Sequence, residues 1–395
     1  MRRLLAWARE RQAEMVGLLR ELVEIESPST DADGVAAVAT CLARQLEAVG
    51  LATETVPVPG AGPLLRGSGG LRWLGHGGRA PTPPPRPVLL LGHLDTVWPL
   101  GTLASRPVRI EDGRLYGPGA FDMKGGLVVA VFALRALAER GPLPPVGVLF
   151  TPLEEVSCEP YRAPMEAQMG AAAAVLDFEP AWPGGSVKTS RKGSGSVLLR
   201  ALGRAAHAGA DFERGANAIL EVARHALAAA GLTDPGRNVT VNVGVVRGGI
   251  RSNVVPDRAE AEIDFRFPTL AEGRRLEAAL RSLRSSDPRI TLEIEGGVHY
   301  PPLERGPHVG RVYESARAIA EEMGFALPEV STGGASEASF AAALGVPTLD
   351  GLGVDGDGAH AESEHALLAS LPERAALAAG LIERLARDAA PPGAP

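Results

Sequence analysis

Cysteine and lysine are the scarce residues of this chain, and each scarcity excludes something. Two cysteines, Cys41 and Cys158, in 395 residues cannot build a disulfide framework. Neither has a second cysteine at zinc-ligand spacing, so any metal must be held by histidines and carboxylates. Lysine occurs three times, as Lys124, Lys188 and Lys192, among 40 basic residues. A chain that otherwise uses arginine keeps lysine where a compact, deprotonable or flexible ammonium is wanted. Long apolar runs are missing as well. The opening M-R-R-L-L-A-W-A-R returns to charge after five apolar residues, which excludes a signal-peptide core, and nothing later has the length of a membrane span. The expectation is a soluble cytoplasmic protein. Nor is there an excess of positive charge: 47 acidic residues against 40 basic give a net charge of −7, which argues against a nucleic acid or an anionic membrane as main partner.

What is present is a globular composition, 45% apolar, at a length suited to two or three domains. Helical spacing of apolar residues predicts surface helices over 4–25 and 36–49. Residues 58–87, with P-V-P-G-A-G-P, G-S-G-G and P-T-P-P-P-R-P, read as an exposed insertion holding a short strand at 71–74. Continuous apolar runs at 88–91, 146–150 and 172–176 predict strands buried on both faces, alternating with a helix over 124–140. This is α/β grammar, with a mixed, mostly parallel sheet flanked by helices. From residue 186 the texture changes. A helix over 217–230, strands over 239–246, 259–267 and 290–294, and the capping box Thr269-Leu-Ala-Glu272 predict a separate α+β unit. The expected organisation is a catalytic domain, 1–185 and 303–395, interrupted by an inserted α+β domain at 186–302, with a disordered tail at 390–395.

In open α/β sheets ligands collect outside the carboxyl ends of the strands, and the ionisable residues here follow that rule. His93 and Asp95 come after one predicted strand, Glu154 and Glu155 after the next and Glu179 after a third, while His360 follows P-T-L-D-G-L-G and Asp122 precedes a helix in Y-G-P-G-A-F-D-M-K-G-G. A single histidine after a strand is usually an ordinary hydrogen-bonded residue, and paired glutamates are common on solvated faces. Two features weigh the other way: the preceding runs are apolar enough to be buried, where an unpaired carboxylate is costly, and the acids converge on one sheet edge. Convergent carboxylates repel unless a cation sits among them. Two histidines with three or more acids and no thiolate suit Zn²⁺, Co²⁺ or Mn²⁺. Asp95, two residues beyond His93, can accept a ring N–H and orient the imidazole. Of the neighbours Glu154 and Glu155, one can bind metal while the other takes a proton from water and hands it to a leaving amine.

The segments G-H-L-D-T-V-W-P, R-L-Y-G-P-G-A-F-D-M-K-G-G, L-F-T-P-L-E-E, L-D-F-E-P, R-A-A-H-A-G-A, R-S-N-V-V-P and G-D-G-A-H-A-E-S-E occur in an order that resembles the two-metal amidohydrolase family of aminoacylases, acetylornithine deacetylase and carboxypeptidase G, above all its glutamate-releasing members. The resemblance covers nearly the whole chain except residues 58–87. It implies that Asp122 bridges two divalent ions, zinc before cobalt or manganese, with His93 and Glu179 completing one site and Glu155 and His360 the other. It implies further that Glu154 is the general base and that Asp95 orients His93. The inserted domain resembles a dimerisation lid, so a homodimer is implied, in which His207 reaches across to stabilise an oxyanion. Arg266 and Asn253 match positions that grip a substrate carboxylate, and Lys188 and Ser190 match positions near the substrate. All three lysines lie in or beside these motifs. Glu337 stands where the family usually has Asp, Leu153 where an acid often precedes the glutamate pair, and E-G-G-V-H-Y-P-P lacks an arginine that would read a glutamate side chain. His76, His225, His299, His308 and His365 match no motif and read as structural or surface residues. The implied activity is metal-dependent release of a C-terminal amino acid, glutamate by preference, from a small peptide or N-acyl conjugate. An N-acyl-amino-acid deacylase is the alternative, and a non-catalytic dimeric binding protein the rival from another class.

Overall fold

The runs read as inner strands are buried along their whole length: β3 (Val88–His93), β4 (Val146–Thr151) and β5 (Ala174–Asp177). They follow β1 (Ala52–Val56) and β2 (Leu64–Gly69) in the chain. The computed structural model describes residues 1–70 and 86–389, so the expected strand at 71–74, His76 and the tail at 390–395 lie outside the described residues. The chain divides into two units, one of Met1–Thr189, Arg305–Ser331 and Ser336–Pro395, the other of Ser190–Glu304 and Thr332–Ala335.

In the first unit a six-stranded sheet runs in the order β1-β2-β4-β3-β5, ending on the short strand Thr348–Leu349. The last four strands are mutually parallel and β1 and β2 are antiparallel additions, which makes the sheet mixed and mostly parallel, as expected. The placement of β2 corrects, for residues 64–69, the reading of 58–87 as an exposed insertion. Leu64 and Leu65 are buried, and the strand is bonded on both sides. Its glycines read as loop residues, but a Cβ at Gly67 would crowd Leu51 and Val148, so the glycine is there to let Leu51 lie on the sheet.

The N-terminal helix is also two helices, α1 (Arg2–Glu10) and α2 (Gln12–Val23), broken at Arg11. Both keep the apolar stripe, through Leu4 and Leu5 and then Leu18, Leu19 and Leu22, so periodicity alone could not show the break. Helix α3 (Ala32–Ala48) begins earlier than expected because Asp31 caps it, accepting the Gly34 N–H at 3.2 Å. Helix α4 (Gly125–Ala138) is apolar on almost every face and correspondingly enclosed, packed against α2 and the C-terminal helix Ser370–Asp388.

The second unit has its own core under a four-stranded antiparallel sheet built from β6 (Gly193–Leu202), β7 (Thr240–Gly248), β8 (Arg258–Phe267) and β9 (Thr291–Tyr300), in the order β7-β8-β6-β9. Along β8, Ala259, Ala261, Ile263, Phe265 and Phe267 are buried and the residues between them are not, the period-two signature of a sheet covered on one face. Helices Ala218–Ala230 and Leu270–Arg281 cover it. Asn217 and Thr269 cap them, the latter through the expected bond from the Glu272 N–H at 3.3 Å. Among the described residues no helix is long and apolar enough to cross a membrane.

Candidate active site

The carboxyl ends of β3, β4 and β5 deliver His93 directly, Glu154 and Glu155 three and four residues past Thr151, and Glu179 two past Asp177. Asp122 comes from the loop before α4. That helix reaches the sheet closely: a Cβ at Gly126 would collide with the Phe178 carbonyl, so only glycine lets the first turn lie against the segment leading to Glu179. His360 sits at φ 62°, an uncommon left-handed conformation for a residue other than glycine.

These side chains form two clusters that share Asp122. In one, His93 Nε2 is 3.2 Å from Asp122 Oδ1 and 3.5 Å from Glu179 Oε1. In the other, His360 Nε2 is 3.5 Å from Asp122 Oδ2 and 3.2 Å from Glu155 Oε2. Within each cluster the donor atoms lie within 4.8 Å of one another, close enough for one ion to be held by all three residues. The donor set is imidazole nitrogen and carboxylate oxygen, and it fits a divalent cation of the zinc, cobalt or manganese kind. A second observation agrees: Glu155 Oε1 is buried with no hydrogen-bond partner, an acceptor in need of positive charge.

Burial and mutual hydrogen bonds shift the acidities of these groups in opposite directions. Burial disfavours the His93 imidazolium, but its bonds to Asp122 and Asp95 outweigh that and raise its pKa well above the ordinary value. Bonds to Asp122 and Glu155 push His360 up to about 10. Burial acts against the Asp122 carboxylate, yet the two histidines hold its pKa below the usual range. Burial and the charge of Glu179 push Glu154 well up, and burial raises Glu155.

Asp95 does more than orient one ring. His93 Nδ1 donates to the Asp95 carbonyl at 3.0 Å, with the carboxylate further off at 3.4 Å, which leaves Nε2 to face Asp122 and Glu179. The carboxylate itself accepts the N–H groups of Glu154 and Glu155, at 3.2 and 3.3 Å, and the Ser29 hydroxyl at 2.6 Å.

Lys188 is buried in the first unit, its N–H donating to the Asp350 carbonyl at 2.8 Å and its Nζ 3.9 Å from Glu179 Oε2. Ser190, His207, Asn253 and Arg266 belong to the second unit. His207 is exposed, and its Nδ1 accepts N–H bonds from Gly209 and Ala210, both 3.1 Å, so its proton sits on Nε2. The Asn253 carbonyl accepts the N–H of Ala208, placing Asn253 beside the His207 strand. Arg266 is engaged elsewhere: Nε and Nη2 donate to the two carboxylate oxygens of Asp264, each at 2.9 Å. A substrate carboxylate would have to displace Asp264 to take the same fork. His225 bonds to Glu221, His299 to Ser196, His308 to Arg311 and His365 to the Ser363 carbonyl.

Four further residues support the site. Ser29 carried no signal. Lys124 stands out in the sequence by lysine scarcity and by its place in the Asp122 motif; it is buried, donates to the Ile25 carbonyl at 2.6 Å, and burial pulls it down to about 7. Glu337, noted only as a departure, is buried and accepts Thr151 Oγ1 at 2.8 Å and the Tyr161 hydroxyl at 2.6 Å, burial pushing it up to about 7. Glu364 lay inside the His360 motif with no role assigned.

A mostly parallel α/β sheet that gathers two histidine–carboxylate clusters around one aspartate has an arrangement suited to a metal-dependent hydrolase. Residues 89–384 match peptidase family M20/M25/M40, and the chain belongs to that family, as its motifs indicated. It is 30% identical over 386 residues to carboxypeptidase G2 of Pseudomonas sp. (strain RS-16), covering 95% of this chain and 90% of that protein. To succinyl-diaminopimelate desuccinylase of Xylella fastidiosa (strain 9a5c) it is 29% identical over 400 residues, covering 95% and 100%. The fold matches the crystal structure of aminopeptidase PepT from Bacillus cereus ATCC 10987 with a TM-score of 0.79 at 24% identity, over 95% of this chain and 99% of that one. The chain is therefore a hydrolase of amide bonds.

Proposed function

We propose that the chain is a two-metal carboxypeptidase releasing a C-terminal amino acid, glutamate by preference, from a small peptide or N-acyl conjugate. The observation that carries this reading is the position of Asp122, with one carboxylate oxygen toward each cluster. His93 and Glu179 would complete one site, Glu155 and His360 the other. Two divalent ions, zinc before cobalt or manganese, supply when bound the positive charge that activates a water and polarises the scissile carbonyl. Glu154 takes the proton of the attacking water and delivers it to the leaving nitrogen; burial beside Glu179 raises its proton affinity, which suits that task. Asp95 holds His93 and the Glu154–Glu155 peptide in place.

In the second unit His207 offers an exposed Nε2–H to an oxyanion, and in this reading it does so from the other subunit of a homodimer. The dimer is supported by that unit's own surface: β7 is an edge strand, and Val246 and, on the helix Ala218–Ala230, Leu220 and Leu227 are exposed. Asn253 and Arg266 would receive the substrate's free carboxylate, Arg266 exchanging Asp264 for it, with Lys188 and Ser190 near the released residue. Likeness to carboxypeptidase G2 supports the carboxypeptidase reading.

A deacylase acting on N-acyl amino acids is the second reading, favoured by the match to the full length of a desuccinylase. The two share their chemistry and differ in which side of the amide is large. Hydrolysis of dipeptidyl, N-benzoyl, N-acetyl and N-succinyl amino acids by protein supplied with Zn²⁺ or Co²⁺ separates them. Highest kcat/KM on dipeptidyl or N-benzoyl glutamate supports the proposal. Preference for the small acyl groups supports the deacylase, and no hydrolysis by metal-loaded protein removes both.

A further inference from the structure

We infer that Glu364 is the positioning residue of the Asp122 loop, and that through this loop it sets the affinity of the site for metal; the second part rests on the two-metal reading above. Glu364 is fully buried, and its carboxylate accepts four hydrogen bonds. Oε2 takes the Trp98 indole N–H at 2.6 Å and the Gly119 N–H at 3.0 Å. Oε1 takes the N–H groups of Phe121 and Asp122, each at 3.0 Å.

These bonds join three stretches of chain. Trp98 lies five residues beyond His93, the three backbone donors belong to the loop that presents Asp122, and Glu364 lies four residues beyond His360. One carboxylate therefore ties together segments bearing a residue of each cluster and the aspartate common to both. The loop needs such a partner. Gly119 is left-handed, with φ 74°, and Asp122 and Met123 have non-helical angles, so the N–H groups of Gly119, Phe121 and Asp122 point to a side chain and not into a helix or sheet ladder. Each oxygen of Glu364 receives two donors, and these N–H dipoles offset part of the cost of removing an ionised carboxylate from water. With its backbone held from behind, Asp122 directs one oxygen toward His93 and the other toward His360.

Substitution Glu364→Gln keeps the shape and spoils the pattern. One amide oxygen can serve one pair of donors, while the amide nitrogen confronts the other pair with N–H against N–H. Two measurements on the full-length chain test the inference. Hydrogen–deuterium exchange of the metal-free protein reads the loop alone: the wild type protects the amides of Gly119, Phe121 and Asp122, and Glu364→Gln exposes them while the core helices keep their protection. Zinc titration against a chromophoric chelator reads the consequence: affinity falls by about 10–100-fold, the range found when a residue supporting a metal ligand is lost, while KM at saturating zinc changes by less than about twofold.

A merely structural role would lower thermal stability and leave the zinc affinity of the folded protein unchanged, and that result overturns the inference. Trp98→Phe deletes one of the four donors and covers the case in which Glu364→Gln does not fold. It should speed exchange at Gly119 and weaken zinc by a few fold, roughly the effect of one lost hydrogen bond to a charged group. Unchanged exchange and affinity in Trp98→Phe would likewise overturn it. If the wild type bound no zinc and the exchange result still held, the two-metal reading would fall and the loop-positioning role would stand.

Discussion

The amide N–H of Glu154 donates to the carboxylate of Asp95 at 3.2 Å. The next N–H, that of Glu155, goes to the other oxygen of the same group, so the residue that anchors His93 also anchors the peptide bearing the proposed base and a proposed ligand. Asp95→Asn should consequently damage both functions, because its amide nitrogen would face an N–H donor. We expect kcat and zinc affinity each to fall by about 10–100-fold. Ser29→Ala, which removes one donor at 2.6 Å and leaves the carboxylate, should cost less. Steady-state kinetics with a parallel zinc titration reads both, and Asp95→Asn with wild-type affinity would show that the peptide needs no such anchor.

Glu154 has a separable role. Glu154→Gln keeps size and removes the basic oxygen, so kcat should drop by about 10²–10⁴-fold, the usual worth of a general base. Zinc content and KM should stay near those of the wild type. Metal analysis of the same samples used for kinetics distinguishes loss of the base from loss of an ion.

Metal uptake should be coupled to protons. His360 is pushed up to about 10 and His93 also stands well above its ordinary value, so both imidazoles are protonated at neutral pH in the metal-free protein. An incoming ion must displace those protons. Affinity for zinc should rise with pH as the competing protons leave, up to about pH 10 for His360. The stability of the metal-free form carries the opposite sign: the His360 contribution is complete below an unfolded value of about 6.5 and is lost as pH rises through about 10. Calorimetry at pH 7 in buffers of different ionisation enthalpy should report roughly one proton released per ion.

Lys124 carries the lysine scarcity into the structure. It is 1% exposed, with its ammonium on the Ile25 carbonyl at 2.6 Å, a position that fits a tapering side chain and not a planar guanidinium. Lys124→Arg should lower stability by about 1–3 kcal/mol through overpacking and reduce turnover, since the strained residue lies two positions from Asp122. Thermal denaturation of the metal-free variant separates the packing effect from the catalytic one, and a wild-type melting temperature with wild-type kinetics would remove any special role for this lysine.

Local pattern announces some of this architecture and hides the rest. Runs such as Val88–His93 are legible because a strand buried on both faces must be continuously apolar, and the acids that follow such runs are legible because they sit where burial makes them costly. The strand Leu64–Gly69 is hidden because its glycines serve a neighbour, Leu51, that lies elsewhere in the chain. The break at Arg11 is hidden because the apolar stripe resumes in phase on the far side. The supports of the site are hidden for the same reason at longer range. Ser29 meets Asp95 across 66 positions and Glu364 meets the Asp122 amide across 242, distances over which no spacing rule operates. Arg266 is the reverse case: a residue suited to a substrate carboxylate, whose fork proves to be held by an acid two positions away.

Asp122 is proposed to serve two ions at once, and the number of zinc ions retained by the native chain tests this most directly. Native mass spectrometry of zinc-loaded wild type should give two ions per chain, in line with two clusters that share one carboxylate, and Asp122→Asn should lose both together with hydrolytic activity. A wild type holding a single ion, or an Asp122→Asn variant that keeps two, would contradict the account.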